Sequence, residues 1–447
     1  MNPEQRRAIR LFAEGKSFFL TGPAGSGKSF CIETFQTAAI QAGKTVAITA
    51  MTGAAALIIG GKTLHSYLGL GLAEEPVSEL IRRIRFNKVV SARWRNLDAL
   101  IVDEVSMMSP TLFEKVEEIA RATRRSASPM GGIQTIFSGD FLQLPPVVRG
   151  GDTAFCFESG KWPVVFPDVV ELKDIIRQAD PVFQQCLNEV RLGSCPKSVE
   201  DILRSRMGKS RAVDGIETTR LFTRNVDTEK INAEHLERLQ LPLEVYAAID
   251  VVSFTDDSEQ HDRKTKAARD RVVAKLKGFL DKAAPCAGSL KLCAGAQVML
   301  LANKDFDAGL VNGSRGVVDR FEGGLPVVRF LNGVTAMIEF QTWTSEEEGV
   351  KVTRKQLPLK LAYAITIHKS QGLSLDLVEV DIGTSLFEAG QGYVALSRVR
   401  SLEGLFIVAF APEKIRAHPK VLKYLRGLAT GSAKAGTIEH AFAKATV

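Results

Sequence analysis

Short apolar runs alternate with stretches of helical spacing along the first 170 residues. Runs at Phe18–Thr21, Thr45–Thr49, Ala99–Val102 and Ile133–Ser138 predict buried strands. Ser29–Ala42 carries apolar residues at helical spacing and meets a stop signal at Gly43. Strand and helix in alternation predict a parallel sheet covered by helices on both faces. An arginine-rich stretch at Leu80–Arg95 interrupts the alternation, and a small inserted subdomain over about residues 63–96 is expected there.

A second α/β region is expected from near Val169, over residues 171–302 and 359–430, with strands at Leu359–Ala364, Val378–Asp381 and Leu405–Phe410. Between its halves, over residues 303–358, the texture changes. Val311–Val318, Leu325–Phe330 and Val334–Phe340 are short strands parted by Gly, Asn and Pro turns. They predict a compact all-β module, with Asn312-Gly313 as a hairpin turn. Residues 431–447 read as a flexible tail.

Composition narrows the class. The chain of 447 residues has length for about three domains. Lys plus Arg outnumber Asp plus Glu by 58 to 51, a net charge of +7 that suits a phosphate-backbone partner without establishing one. The six cysteines show no zinc-site spacing, which suits a reducing compartment. Cys31 reads as a packing residue rather than a nucleophile. No run of about 18 apolar residues exists, and Met1-Asn-Pro-Glu-Gln-Arg-Arg has no apolar signal core, so no membrane partner and an intracellular location are expected.

The densest chemistry lies between the first strand and the first long helix. Gly22-Pro23-Ala24-Gly25-Ser26-Gly27-Lys28-Ser29 fits the phosphate-binding pattern G-x-x-x-x-G-K-[ST]. Its glycines let backbone N–H groups close around a β-phosphate at a helix N-terminus. Lys28 can reach the β- and γ-phosphates, and the Ser29 hydroxyl can hold Mg²⁺. Asp103 and Glu104 end an apolar strand, where they are either two solvated acids or a Mg²⁺ ligand and a water-orienting base. The turn Gly139-Asp140-Phe141-Leu142-Gln143 follows another strand, and Gln143 can donate to a γ-phosphate while accepting from water. Arg177 and Arg398 are ordinary surface arginines or fingers that reach a γ-phosphate, a contact worth about 10³–10⁵ in rate.

These segments, with Ala364-Ile-Thr-Ile-His368-Lys-Ser-Gln-Gly372 and Tyr393-Val-Ala-Leu-Ser-Arg398, stand in the order seen in superfamily 1 helicases. In detail the chain resembles the PIF family of 5′-to-3′ DNA helicases, through Gly61–Gly71, Gly131–Pro146, Gly295–Leu300 and Val311–Ser314, over about residues 1–412. The resemblance implies two RecA-like domains, the first over residues 1–170, with an SH3-like barrel at 303–358 bordering a DNA channel. It implies that Gln5 reads adenine, that Lys28, Ser29, Asp103, Glu104 and Gln143 serve the ATPase, and that Arg177 and Arg398 are arginine fingers. Thr52, His65, Thr366 and His368 fall in motifs that line the channel, and Ser109–Arg125 matches a signature helix. His65 and Tyr67 are candidates for stacking on bases. The implied cofactors are ATP and Mg²⁺, and the implied partners are single-stranded DNA and forked or 5′-tailed duplexes.

Two α/β domains are expected to sandwich ATP, Lys28 on one face and both arginines on the other, with hydrolysis reopening the cleft. A working monomer is expected, in the cytoplasm of a prokaryote or virus-infected cell or in a nucleus. Three other readings compete: a helicase subunit of the recombination type similar to RecD, a DNA-stimulated ATPase switch without unwinding, and a metabolite kinase. The kinase is the weakest, because it leaves Gln143, Arg398 and the β insertion without a purpose.

Overall fold

The computed structural model describes residues 1–71, 73–146, 153–208, 216–223, 226–254, 263–283, 288–302, 304–305, 307–347 and 350–429. The expected tail at 431–447 lies outside them. No described helix is long and apolar enough to cross a membrane. Contacts divide the chain into two compact units.

The first unit is built on six parallel strands: β1 (Phe18–Thr21), β2 (Val46–Ala50), β3 (Lys62–Thr63), β4 (Ala99–Asp103), β5 (Gln134–Ser138) and β6 (Asp168–Glu171), in the order β3-β2-β4-β5-β1-β6. Alternation along the strands supplies two apolar faces. Phe18, Leu20, Ile101 and Ile136 face one core, with Ala8, Leu11 and Phe12 of helix α1 (Pro3–Ala13) and Ile32 and Phe35 of α2 (Lys28–Gln41). Phe19, Leu100, Val102 and Phe137 face the other.

Leu80 and Ile84 of α3 (Val77–Phe86), Val90 and Trp94 of α4 (Lys88–Asn96), and Phe113 and Val116 of α5 (Pro110–Arg124) fill that second core. The stretch expected as an inserted subdomain is therefore part of the first unit's own core. Its basic side chains are used locally, since Arg83 pairs with Glu75 at 2.7 Å and donates to the Leu70 carbonyl at 2.8 Å. The signature helix starts and stops where the sequence places it. Ser109 caps its first turn with Pro110 next, and Arg125 ends it in a left-handed conformation at φ +53°. The Arg124 guanidinium then collects the Trp94, Arg95 and Leu97 carbonyls at 2.7–3.0 Å and so closes the end of α4.

The boundary differs from the expected one at residue 170. Val169 pairs with Phe19 in the first sheet, and the first unit continues through α6 (Pro181–Arg191) to Ile202. It also takes back Leu386–Ser397, which contains α7 (Gln391–Leu396), and the described residues from Ala411 onward. An apolar pair such as Val169-Val170 fits the edge of either sheet, so its composition does not decide between them.

The second unit holds a parallel sheet in the order Ala364–Thr366, Thr219–Phe222, Val378–Ile382, Leu405–Phe410. Its β module is larger than residues 303–358. A five-stranded antiparallel sheet joins Gln297–Leu300, Arg315–Glu322, Leu325–Phe330, Thr335–Met337 and Leu359–Leu361. Separate small sheets recruit Ile249–Phe254, Glu244–Ala247 and Ser289–Leu292. The run expected as one strand at Leu359–Ala364 is split: Leu359–Leu361 belongs to the module and Ala364–Thr366 to the parallel sheet. Asn312-Gly313 lies in a tight turn, Ser314 N–H to Val311 carbonyl at 2.9 Å, but it leads from a longer loop into a strand and is not a two-residue hairpin.

Candidate functional site

The phosphate loop is held from outside by the segment after β6. Leu172 N–H donates to the Thr21 carbonyl at 2.8 Å, and Ile176 and Arg177 N–H groups donate to the Gly25 carbonyl at 2.8 and 3.2 Å. Gly25 sits at φ +78°, and a Cβ there would lie 2.5 Å from the Arg177 Cβ. Only glycine allows both that conformation and that approach. Arg177 therefore belongs to the loop's own unit, a correction to its expected place on the opposite face. Its guanidinium donates to the Ser397 carbonyl at 2.9 Å.

Gln5 is buried and close to the loop, its Nε2 lying 2.8 Å from where a Gly27 Cβ would be. It also closes a capping box on α1: its N–H donates to Asn2 Oδ1 at 2.8 Å, and its Oε1 accepts the Asn2 N–H at 3.0 Å. The side-chain amide faces the loop while the oxygen is already engaged.

Lys28 opens α2, and its Nζ rests on the Gly22 and Pro23 carbonyls at 2.8 and 2.9 Å. Burial lowers its pKa, opposed by Asp140, Glu104 and Asp103. Asp103, at the end of β4, is pushed up by burial, opposed by Ser138, the Glu104 backbone and Lys28. Glu104 follows at φ +53° and ψ +43°, the left-handed region, which costs a non-glycine residue about 1 kcal/mol. Strain held directly beside a buried carboxylate marks a functional turn.

The turn after β5 is fixed by an ion pair that the sequence does not reveal. Asp140 accepts from Arg191 Nε and Nη2 at 2.8 and 3.0 Å, and both residues are buried. The Asp140 carboxylate also accepts the Leu142 N–H at 3.2 Å, and its carbonyl accepts the Gln143 N–H at 3.0 Å. Arg191 is the last residue of α6, where it reads as a helix-end cation. No local signal in the sequence pairs it with a residue 51 positions away.

Two buried side-chain atoms near this turn and loop lack a hydrogen-bond partner: Ser26 Oγ and Gln143 Oε1. Orphaned buried polar atoms beside a lysine and two acids fit a polar, charged guest such as a phosphate with its cation. The described residues hold no cluster of three or more His, Cys, Asp or Glu suited to a resident metal.

The remaining candidates lie at strand ends. Thr52, after β2, accepts the Ala55 N–H at 3.2 Å and starts the helix Gly53–Ile58. Thr366 ends its strand in the second unit and accepts the Lys369 N–H at 3.2 Å, starting the turn His368–Ser370. Each hydroxyl keeps its own proton to donate. His65 lies in the short helix Leu64–Tyr67, and burial lowers its pKa. The Arg93 guanidinium sits over the Tyr67 ring, 6.0 Å from its centre. Arg398 is buried and falls in the second unit.

The PIF1-like helicase family model matches residues 1–201, and the DNA helicase Pif1 2B domain matches residues 276–321. The chain is 41% identical to the ATP-dependent DNA helicase PIF1 of Rattus norvegicus over 96% of its own length, and it spans 64% of that relative. It is 36% identical to the ATP-dependent DNA helicase Pif1 of Bdellovibrio bacteriovorus, over 95% of this chain and 92% of the relative. Among solved structures, Bacteroides sp Pif1 in complex with ADP-AlF4 superposes with a TM-score of 0.78 at 30% identity, over 97% of this chain and 98% of that one. Bacteroides Pif1 in complex with ADP-AlF3 and ssDNA superposes with a TM-score of 0.65 at 29% identity, with the same coverage. With two RecA-like units, an ordered motif set and a 36% identical relative matched along 92% of its length, the chain belongs to the PIF1-like helicase family.

Proposed function

We propose that this chain is an ATP-dependent DNA helicase that moves 5′-to-3′ along single-stranded DNA and opens forked or 5′-tailed duplexes. The observation that carries the reading is the grouping of half-buried Lys28 with buried Asp103 and Asp140–Arg191 around a glycine loop, closed by the Gln143 turn. The complexes of Bacteroides Pif1 with ADP-AlF4 and with ssDNA support it.

In this reading the loop N–H groups and Lys28 bind the ATP phosphates, and Gln5 takes the adenine. Ser29 and Asp103 would hold Mg²⁺, which when bound neutralises charge on the β- and γ-phosphates. Glu104 orients the attacking water and accepts its proton, while Gln143 donates to the γ-phosphate. Arg398 is the second unit's finger, and Arg177 acts from within the first. Thr52, His65, Thr366 and His368 contact the DNA backbone through hydroxyls and imidazoles, so binding is tolerant of sequence and weakened by salt. The protein works as a monomer inside the cell.

The test is unwinding of 5′- and 3′-tailed duplexes alongside ATPase rates with and without single-stranded DNA. Lys28→Ala is expected to lower DNA-stimulated hydrolysis by about 10²–10³-fold with the fold retained. Unwinding confined to 3′-tailed duplexes would overturn the polarity. DNA-stimulated hydrolysis without strand separation would favour the switch.

A further inference from the structure

Helix α7 has six residues, all buried, and no side chain caps its N-terminus. A helix of that length has no stability of its own, so its position is set by what it touches. It touches three parts of the nucleotide site. At its start Gly390 sits at φ +78°, where a Cβ would lie 2.6 and 2.5 Å from the Leu142 and Gln143 carbonyls. In its middle the Tyr393 hydroxyl accepts the Ala24 N–H of the phosphate loop at 2.8 Å, a buried bond between residues 369 apart. After its end the Ser397 carbonyl accepts from Arg177, whose Cβ packs on Gly25, and from Gln178 at 2.9 and 3.3 Å. The Tyr393 ring is 3% exposed and also lies within the field of Arg191, the partner of Asp140.

We propose that Tyr393 is a positioning residue for ATP turnover: its hydroxyl fixes the register of α7 against the phosphate loop, so that the helix follows the state of the loop. The proposal rests on the ATPase reading above and deepens it. The Ala24 amide is a main-chain group that shifts whenever the loop rearranges around a phosphate, and a hydrogen bond passes that shift to α7. Gly390 passes the same shift to the carbonyls of the Gln143 turn by direct contact. Arg398 follows Ser397 directly in sequence, so a displaced α7 displaces the backbone that carries it.

Tyr393→Phe removes one hydroxyl and keeps the ring. The expected result is a DNA-stimulated kcat lower by about tenfold, with the KM for ATP within about twofold of the unaltered chain, because one positioning hydrogen bond is lost and the loop's phosphate donors remain. Gly390→Ala pushes the start of α7 away from the Gln143 carbonyl with Tyr393 intact, and the same split is expected. Hydrogen exchange at the Ala24 amide, measured without nucleotide, reads the contact independently of turnover and is expected to quicken in Tyr393→Phe. An unaltered kcat in both variants, or a raised KM at unaltered kcat, overturns the proposal. So does an Ala24 exchange rate that Tyr393→Phe leaves in place. Absence of ATPase in the unaltered chain would instead remove the helicase reading, and the exchange rate would still decide the contact.

Discussion

Two half-buried lysines, one in each unit, stand in opposite surroundings. Lys28 lies in the first unit with Asp140, Glu104 and Asp103 all acting to keep its ammonium charged. Lys360 lies in the second, on the strand Leu359–Leu361, where burial pushes its pKa down to about 8 and the neighbouring charge that acts on it is another cation, Lys369. Each unit also has a parallel strand that ends near a threonine whose hydroxyl accepts the N–H three residues on, at Thr52 in one unit and Thr366 in the other. The two lysines themselves differ in the charges placed beside them. The first unit packs balanced charges into a low-dielectric site, which suits controlled chemistry on a phosphate. At Lys360 the second unit sets one cation beside another.

The largest effect is expected where charges are balanced. Arg191→Met leaves the Asp140 carboxylate buried and unpaired, and a loss of about 3–5 kcal/mol in unfolding free energy is expected by denaturant titration. Asp140→Asn with Arg191→Met removes both charges and should recover most of it. If the single and the double variant were equally unstable, the Asp140–Arg191 charge balance would not hold the first unit together.

A middle-sized effect of opposite sign is expected at Lys360. Its folded pKa of about 8 lies below the ordinary 10.5, so between those values the unfolded chain holds a proton that the folded chain has released. Unfolding free energy therefore rises with pH across that window, and the charged Lys360 weakens the fold below it. Lys360→Met should abolish that rise and stabilise the protein at pH 7 by about 1–3 kcal/mol. Thermal melts at a series of pH values check both. A destabilised Lys360→Met would mean that the lysine's packing outweighs its charge.

The smallest effects fall on the two threonines. Thr52→Ala and Thr366→Ala each lose a helix- or turn-starting acceptor worth about 1 kcal/mol. Each should also weaken single-stranded DNA binding at low salt, measured by anisotropy. Equal stability losses with DNA binding weakened at one site alone would show that the shared construction does not carry a shared function.

Much of this was legible in the sequence for local reasons. The phosphate loop, the strands at Phe18 and Ala99, and the caps at Ser109 and Arg125 each follow from residues within a few positions of one another. The side of the sheet on which Phe18 and Phe19 lie follows from alternation alone. Arg191 was not legible, because a helix-end arginine looks alike whether it faces water or Asp140. The extra module strands at Glu244–Ala247 and Ile249–Phe254 were missed because they carry exposed Val245, Ile249 and Val251, which do not give the polar alternation of a half-buried strand. The place of Arg177 in the first unit is not legible, because backbone bonds to Gly25, far away in sequence, fix where its segment runs.

The sequence by itself determined that a glycine loop, two acids and a glutamine turn sit at strand ends of a parallel sheet, because strand period, turn chemistry and helix capping act over short range. Tertiary structure alone decided which distant residues complete that site. It brought Arg191 to Asp140, Arg177 to Gly25 and Tyr393 to Ala24. The reason is physical: burying a charge or a main-chain N–H demands a partner, and the fold supplies it from wherever the chain returns.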